Sequence, residues 1–116
     1  MEYNLEERTV LFGEKIIQLV RKLPKDCINK RLIEQIVGSS GSIGANYCEA
    51  NEAESKKDFI HKMGISKKEI KETKHWLRLI AQANPDFIDE CRANWKEAQE
   101  LLLIFSKIIT SSRNKI

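Results

Sequence analysis

The sequence predicts an all-α protein, an up-and-down antiparallel four-helix bundle. Three observations predict it. Apolar residues recur at helical spacing along most of the 116 residues. Punctuation is sparse, with two prolines and five glycines, which favours a few long elements. No segment shows the alternation of a strand, and no internal repeat or low-complexity tract interrupts the pattern. Hydrophobic residues make up 41% and charged residues 32%, the balance of a globular chain rather than a disordered one. The length suits one domain, residues 1–116, with one core.

The first helix is expected over 5–23, stopped by Pro24. Val10, Gly13, Ile17 and Val20 fall on one face, and Phe12, Ile16, Leu19 and Leu23 form a second apolar stripe beside it. The second helix is expected over 27–54, capped by Asp26. Its stripe of Ile33, Ile36, Val37, Ser40, Ile43, Gly44, Tyr47 and Cys48 keeps the 3.6 period straight through "VGSSGSIGANYCEANEAES", so this glycine-serine stretch reads as helix and not as a loop. Ser40 and Gly44 lie in the stripe, where small residues let a neighbouring helix approach closely. The cost is ~1 kcal/mol of helix propensity per glycine.

The third helix is expected over 56–83. Ser55 is its N-cap, with Asp58 in the position of a capping-box variant. Its core stripe is Phe59, Met63, Ser66, Ile70, Thr73, Leu77, Ile80 and Ala81. The fourth is expected over 86–112, with Asn84 as cap and Pro85 at the first helical position. Cys91, Trp95, Ala98, Leu102, Phe105 and Ile109 step by four and three, the rhythm of knobs into holes, with Leu101, Ile104 and Ile108 beside them. "TSSRNKI" is expected to fray.

Several functions are argued against by the residues. No apolar run approaches the ~20 residues of a membrane span, and the acidic "MEYNLEERTV" is not a secretory signal. Cys27, Cys48 and Cys91 are odd in number and widely spaced, which points to small buried hydrophobes in a reducing cytoplasm rather than to disulfides or zinc. The glycines lack the preceding strand of a dinucleotide fingerprint and the G-K-[ST] of a Walker loop. Neither His61 nor His75 has a metal-type residue four positions on. No serine sits in a legible triad, and no arginine has a histidine four to six residues downstream, as some all-helical ribonucleases do. The chain therefore reads as non-enzymatic, with no metal and no cofactor; an enzymatic reading would need a composite site between subunits, built from Glu49, Glu72 and His75.

Two polar features remain. Ser42, Asn46 and Glu49 form one ridge nearly opposite the apolar stripe of the second helix: a solvated back, or a polar seam meeting another subunit. On the third helix Lys67, Lys71, Lys74 and Arg78 align at spacings of four, three and four, flanked by Lys57, Lys68 and His75. From Lys56 to Arg78 there are eight basic residues against three acidic ones, a net +5 that exceeds the +3 of the whole chain. Such asymmetry is the footprint of phosphate contact, with a merely solvated face as the plain alternative. No aromatic residue is expected within that basic face to stack on a base. Binding would follow the RNA or DNA backbone. A further stripe, Ile65, Trp76, Leu79 and Ala83 with Glu72 among them, joins the second stripes elsewhere as apolar surface that a monomer does not use, and it points to a homo-oligomer of closed symmetry.

"SSGSIGANYCEANEAESKKDFIHKMGISKKEIKETKHWLRLI" resembles the bacterial four-helix-bundle family of proteins encoded in intervening sequences of 23S ribosomal RNA genes. Ser42, Ile43, Asn46 and Glu49 match its pattern on the second helix, and Phe59, Ile65 and Glu72 match it on the third. Ala50 stands where the family often has glycine. The resemblance implies a ring, by analogy a homopentamer, and no catalysis. A related accessory protein of diversity-generating retroelements works with nucleic acid and a reverse transcriptase, so the resemblance makes RNA or DNA the natural partner. The alternative is a protein-interaction scaffold with no nucleic-acid role.

Overall fold

The computed structural model describes residues 4–115. Four helices account for most of them: α1 (Leu5–Lys22), α2 (Cys27–Asn51), α3 (Lys56–Ala83) and α4 (Ile88–Asn114), with a short 3-10 turn at Pro85–Phe87 before α4. They pack in chain order, each against the next, and α1 closes on α4. The result is a rod of 51 × 23 × 20 Å. Side-chain pairs set the directions. Asn29 near the start of α2 meets Asn84 at the end of α3, Glu49 near the end of α2 meets Lys62 near the start of α3, and Lys22 at the end of α1 meets Glu90 at the start of α4. Neighbours therefore run antiparallel, the four-helix bundle that the periodicity predicts.

Three starts are capped by side chains. Asn4 Oδ1 accepts from the Glu7 amide at 3.3 Å, Asp26 Oδ1 from Asn29 at 2.8 Å, and Ser55 Oγ from Asp58 at 3.0 Å. Each satisfies one of the amides that a helix start leaves without a partner. Asn84 departs from expectation. Its side chain caps no amide of the turn that follows, because it is buried in a closed pair with Asn29: each amide nitrogen donates to the other's oxygen, at 2.9 and 2.8 Å. Pro85 opens the 3-10 turn, and α4 begins at Ile88 instead of residue 86. At the far ends, α2 stops at Asn51 rather than 54, and α4 continues through Thr110–Asn114, which are helical rather than frayed.

The glycine-serine stretch is helical throughout, and none of its glycines has positive φ. At Gly44 the close approach is real: a Cβ there would lie 3.0 Å from Thr9 Oγ1 of α1. At Gly38 and Gly41 a Cβ would meet nothing within 4 Å, so the lean surface there faces outward.

The core runs the length of the rod. Phe12, Ile16 and Leu19 of α1, Ile36 and Ile43 of α2, Met63, Ile70, Leu77 and Ile80 of α3, and Ala98, Leu101 and Phe105 of α4 are at most 1% exposed. Between α2 and α3 the core is polar in places but satisfied. Ser39 and Thr73 share a hydrogen bond of 2.8 Å, and Ser66 Oγ donates to the Ile43 carbonyl at 2.9 Å. Among the described residues no buried side-chain nitrogen or oxygen lacks a partner, as a stable interior requires.

Two expectations are corrected. Of the two stripes on α1, Phe12–Ile16–Leu19–Leu23 is core, whereas Val10 and Ile17 are 49% and 44% exposed. With Gly13, Val37, Gly41, Ala45 and Cys48 they line an open apolar groove between α1 and α2. Among the cysteines only Cys91 is buried; Cys27 and Cys48 are exposed. Desolvation first, then Glu90, pushes the Cys91 thiol up to about 11.

Candidate nucleic-acid interface and polar seam

Helix α3 presents two different flanks around its buried row. Lys62, Ser66 and Thr73 reach Glu49, Ile43 and Ser39 of α2, which identifies the ridge turned toward α2. Lys74 reaches the other way. Its Nζ donates to Gln99 Oε1 of α4 and sits 4.3 Å from the centroid of the Trp95 ring. By helical period, Lys67, Lys71 and Arg78 share that α4-facing flank with Lys74. Lys71 and Arg78 are exposed, and Lys67 and Lys74 half-buried. Lys57, Lys68 and His75 are exposed, and the His75 ring meets Trp76 edge-on at 4.8 Å.

Among the described residues, no carboxylate pairs within 4.0 Å of Lys67, Lys71, Lys74, Arg78 or Arg92. Lys62 differs. It bonds Glu49 at 2.7 Å, and that hydrogen bond, ahead of the Coulombic attraction, raises the ammonium above its ordinary range.

At the Arg78 end of this flank, α3 and α4 part to leave a cavity of about 360 Å³. Leu77, Ala81, Ile88 and Cys91 form its apolar lining, joined by Trp95, Arg78, Arg92 and Gln82. An aromatic ring therefore does stand beside the basic row, contributed by the neighbouring helix. Reading α3 alone misses it. The signal was present in α4, where Ile88, Arg92, Trp95 and Gln99 are spaced by four, three and four and so share one ridge.

The polar seam lies on the opposite flank. Ser42 and Asn46 are half-buried, and Asn46 Nδ2 donates to the Ser42 carbonyl at 2.9 Å, folding its side chain onto its own helix. Glu49, one ridge step on, pairs with Lys62. On α3 the half-buried Trp76, the exposed Glu72 and Leu79, and the half-buried Ile65 follow the same side at steps of seven, four and three. The candidates Ser42, Asn46, Glu49, Glu72, Trp76 and Leu79 are thus brought to one face, away from the lysine row. Burial first, then the Glu72 carboxylate, holds the Glu69 carboxyl above its ordinary range, while Lys68 pulls it down.

Among the described residues no three of His, Cys, Asp and Glu gather as metal ligands, and no helix is long and apolar enough to cross a membrane. Glu49, Glu72 and His75 are each exposed.

Comparison with known proteins agrees with this architecture. The sequence matches the family described as 23S rRNA-intervening sequence protein over residues 2–111. Among solved structures, a crystal structure of a protein of unknown function from the S23 ribosomal protein family of Bacteroides thetaiotaomicron is similar. Its TM-score is 0.80 at 28% identity, over 90% of this chain and 96% of that one. Among curated proteins, none matches. With the family pattern spanning all four helices, the chain belongs to the 23S rRNA-intervening sequence protein family.

Proposed function

We propose that the protein is a non-catalytic, cytoplasmic module of one domain that binds the phosphate backbone of RNA or DNA through α3. Lys57, Lys67, Lys68, Lys71, Lys74, His75 and Arg78 are the contacting residues. What supports this reading is the row Lys67, Lys71, Lys74 and Arg78, none of which has a carboxylate partner within 4.0 Å among the described residues. Cations left unpaired in a row are available to displace counterions from a polyanion.

One such row is a weak site. Self-association into a ring, by the family resemblance a homopentamer, would set several rows on one particle and multiply the affinity. The exposed Val10, Ile17 and Val37 of the α1/α2 groove, and Leu79 with the polar seam, supply surface for that contact. The same groove favours the second reading, a protein-interaction scaffold whose lysines are only solvated.

A salt titration separates the two. For the nucleic-acid reading, log affinity for an RNA or DNA duplex falls linearly with log salt. Lys67→Gln and Lys71→Gln each reduce the slope by about 1. Affinity indifferent to salt, or no binding at low salt, refutes it. The native particle mass with and without RNA reports the ring.

A further inference from the structure

We infer that the cavity between α3 and α4 seats one unpaired base, so that the protein discriminates single-stranded from duplex nucleic acid. This rests on the phosphate-binding reading of α3 and adds to it a site that reads strandedness.

Three features converge at the cavity. The first is its lining: Leu77, Ala81 and Ile88 offer apolar surface and Trp95 an indole, the surroundings in which a base ring leaves water with gain. The volume of about 360 Å³ falls within the range of small-molecule sites. The second is charge. Arg78 from α3 and Arg92 from α4 line the cavity together, and neither has a carboxylate partner among the described residues. Two guanidinium forks beside an apolar hollow match a ligand that is aromatic at one end and anionic at the other. The third is approach. Lys67, Lys71, Lys74 and Arg78 climb α3 over about 16 Å, at about 1.5 Å per residue, and end at the cavity. The Lys74 ammonium sits 4.3 Å from the Trp95 centroid, so the last phosphates of a strand tracking the row meet the ring and the hollow together.

Strandedness follows from energy. A base within a duplex is paired and stacked, and taking it out costs several kilocalories, whereas an unpaired base enters at little cost. Gln82 is the one uncharged polar side chain lining the cavity, so the seat accepts bases with little preference for sequence.

The test uses the wild-type protein, with Trp95→Leu giving the part of the indole signal that belongs to Trp76. A short RNA strand, the same strand annealed to its complement, and a free nucleoside monophosphate are titrated at low salt, reading fluorescence and anisotropy. The expected result is quenching of Trp95 by the single strand and not by the duplex. Trp95→Leu should weaken single-strand binding by roughly tenfold and leave duplex binding unchanged. Ala81→Phe, which fills the cavity but keeps every charge and the indole, should do the same. Arg92→Gln, an exposed change that leaves the core intact, should weaken single-strand binding more than duplex binding. No quenching by a bound single strand, or equal losses for both forms, overturns the seat while the α3 reading stands. A monophosphate bound as tightly as the strand overturns it in favour of a small-ligand site. Binding of no nucleic acid at low salt removes both proposals.

Discussion

The buried Asn29–Asn84 pair makes a quantitative prediction. Asn29 is 1% exposed and Asn84 6%. Between them, all four amide hydrogens are used: two on each other, one on the Pro24 carbonyl at 2.9 Å and one on the Ile80 carbonyl at 3.0 Å. Truncating either residue to alanine removes three hydrogen bonds, the two mutual ones and one to backbone. At about 1 kcal/mol net per bond, each single variant should lose about 3 kcal/mol. The double variant removes four bonds, not six, since the mutual pair is shared. It should therefore lose about 4 kcal/mol, a coupling of about 2 kcal/mol, and the deserted partner left in each single variant pushes the coupling higher still. Urea unfolding of the wild type, Asn29→Ala, Asn84→Ala and the double variant measures the cycle. Additive losses would show that the two side chains do not act as one unit, and the account of the α3–α4 junction would fail with them.

Three further predictions concern α2 and α3. Gly44→Val should destabilise by ~1–3 kcal/mol, because its Cβ meets Thr9 Oγ1, itself held by the Leu5 carbonyl at 2.8 Å and the Glu6 carbonyl at 3.1 Å. Gly41→Ala, in open space, should instead stabilise by up to ~1 kcal/mol in thermal or urea melts. For Glu69, a folded pKa above the ordinary 4.5 means that the folded chain holds more protons than the unfolded one just above that value. Its contribution is greatest below 4.5 and is lost as pH rises through the folded value. Urea midpoints measured across this window should thus decline less in Glu69→Gln than in wild type, and parallel curves would contradict the assignment.

Much of this architecture was legible because it is periodic. The α3 row from Met63 to Ile80 and the caps at Asp26 and Ser55 depend on neighbours within a turn or two, and the sequence displays such neighbours directly. Where two readings share one period, the chain cannot choose. Both stripes of α1 fit a helix, and only packing against α2 and α4 decides that Phe12 is covered and Val10 is not. Long-range pairing is hidden for another reason. Asn84 preceding Pro85 looks like a cap until Asn29, 55 positions away, is seen to occupy it. The cavity beside Arg78 is legible only in halves, since α3 supplies the cations and α4 the indole.

The shortest helix is held differently on its two edges. Helix α1 has 18 residues against 25, 28 and 27 for its neighbours. Toward α2 it is hinged, by the brief Pro24 turn and the tight fit of Thr9 over Gly44. Toward α4 it is latched, by Arg8 forked on Glu97 at 2.8 and 2.9 Å and by Lys22 on Glu90 at 2.6 Å. A hinge of van der Waals contact ignores ionic strength, whereas a latch of partly exposed ions loosens with it. Concentrated electrolyte therefore loosens the α4 edge of this wall by about 1 kcal/mol per ion pair at most, while the burial of Phe12, Ile16 and Leu19 keeps the wall closed.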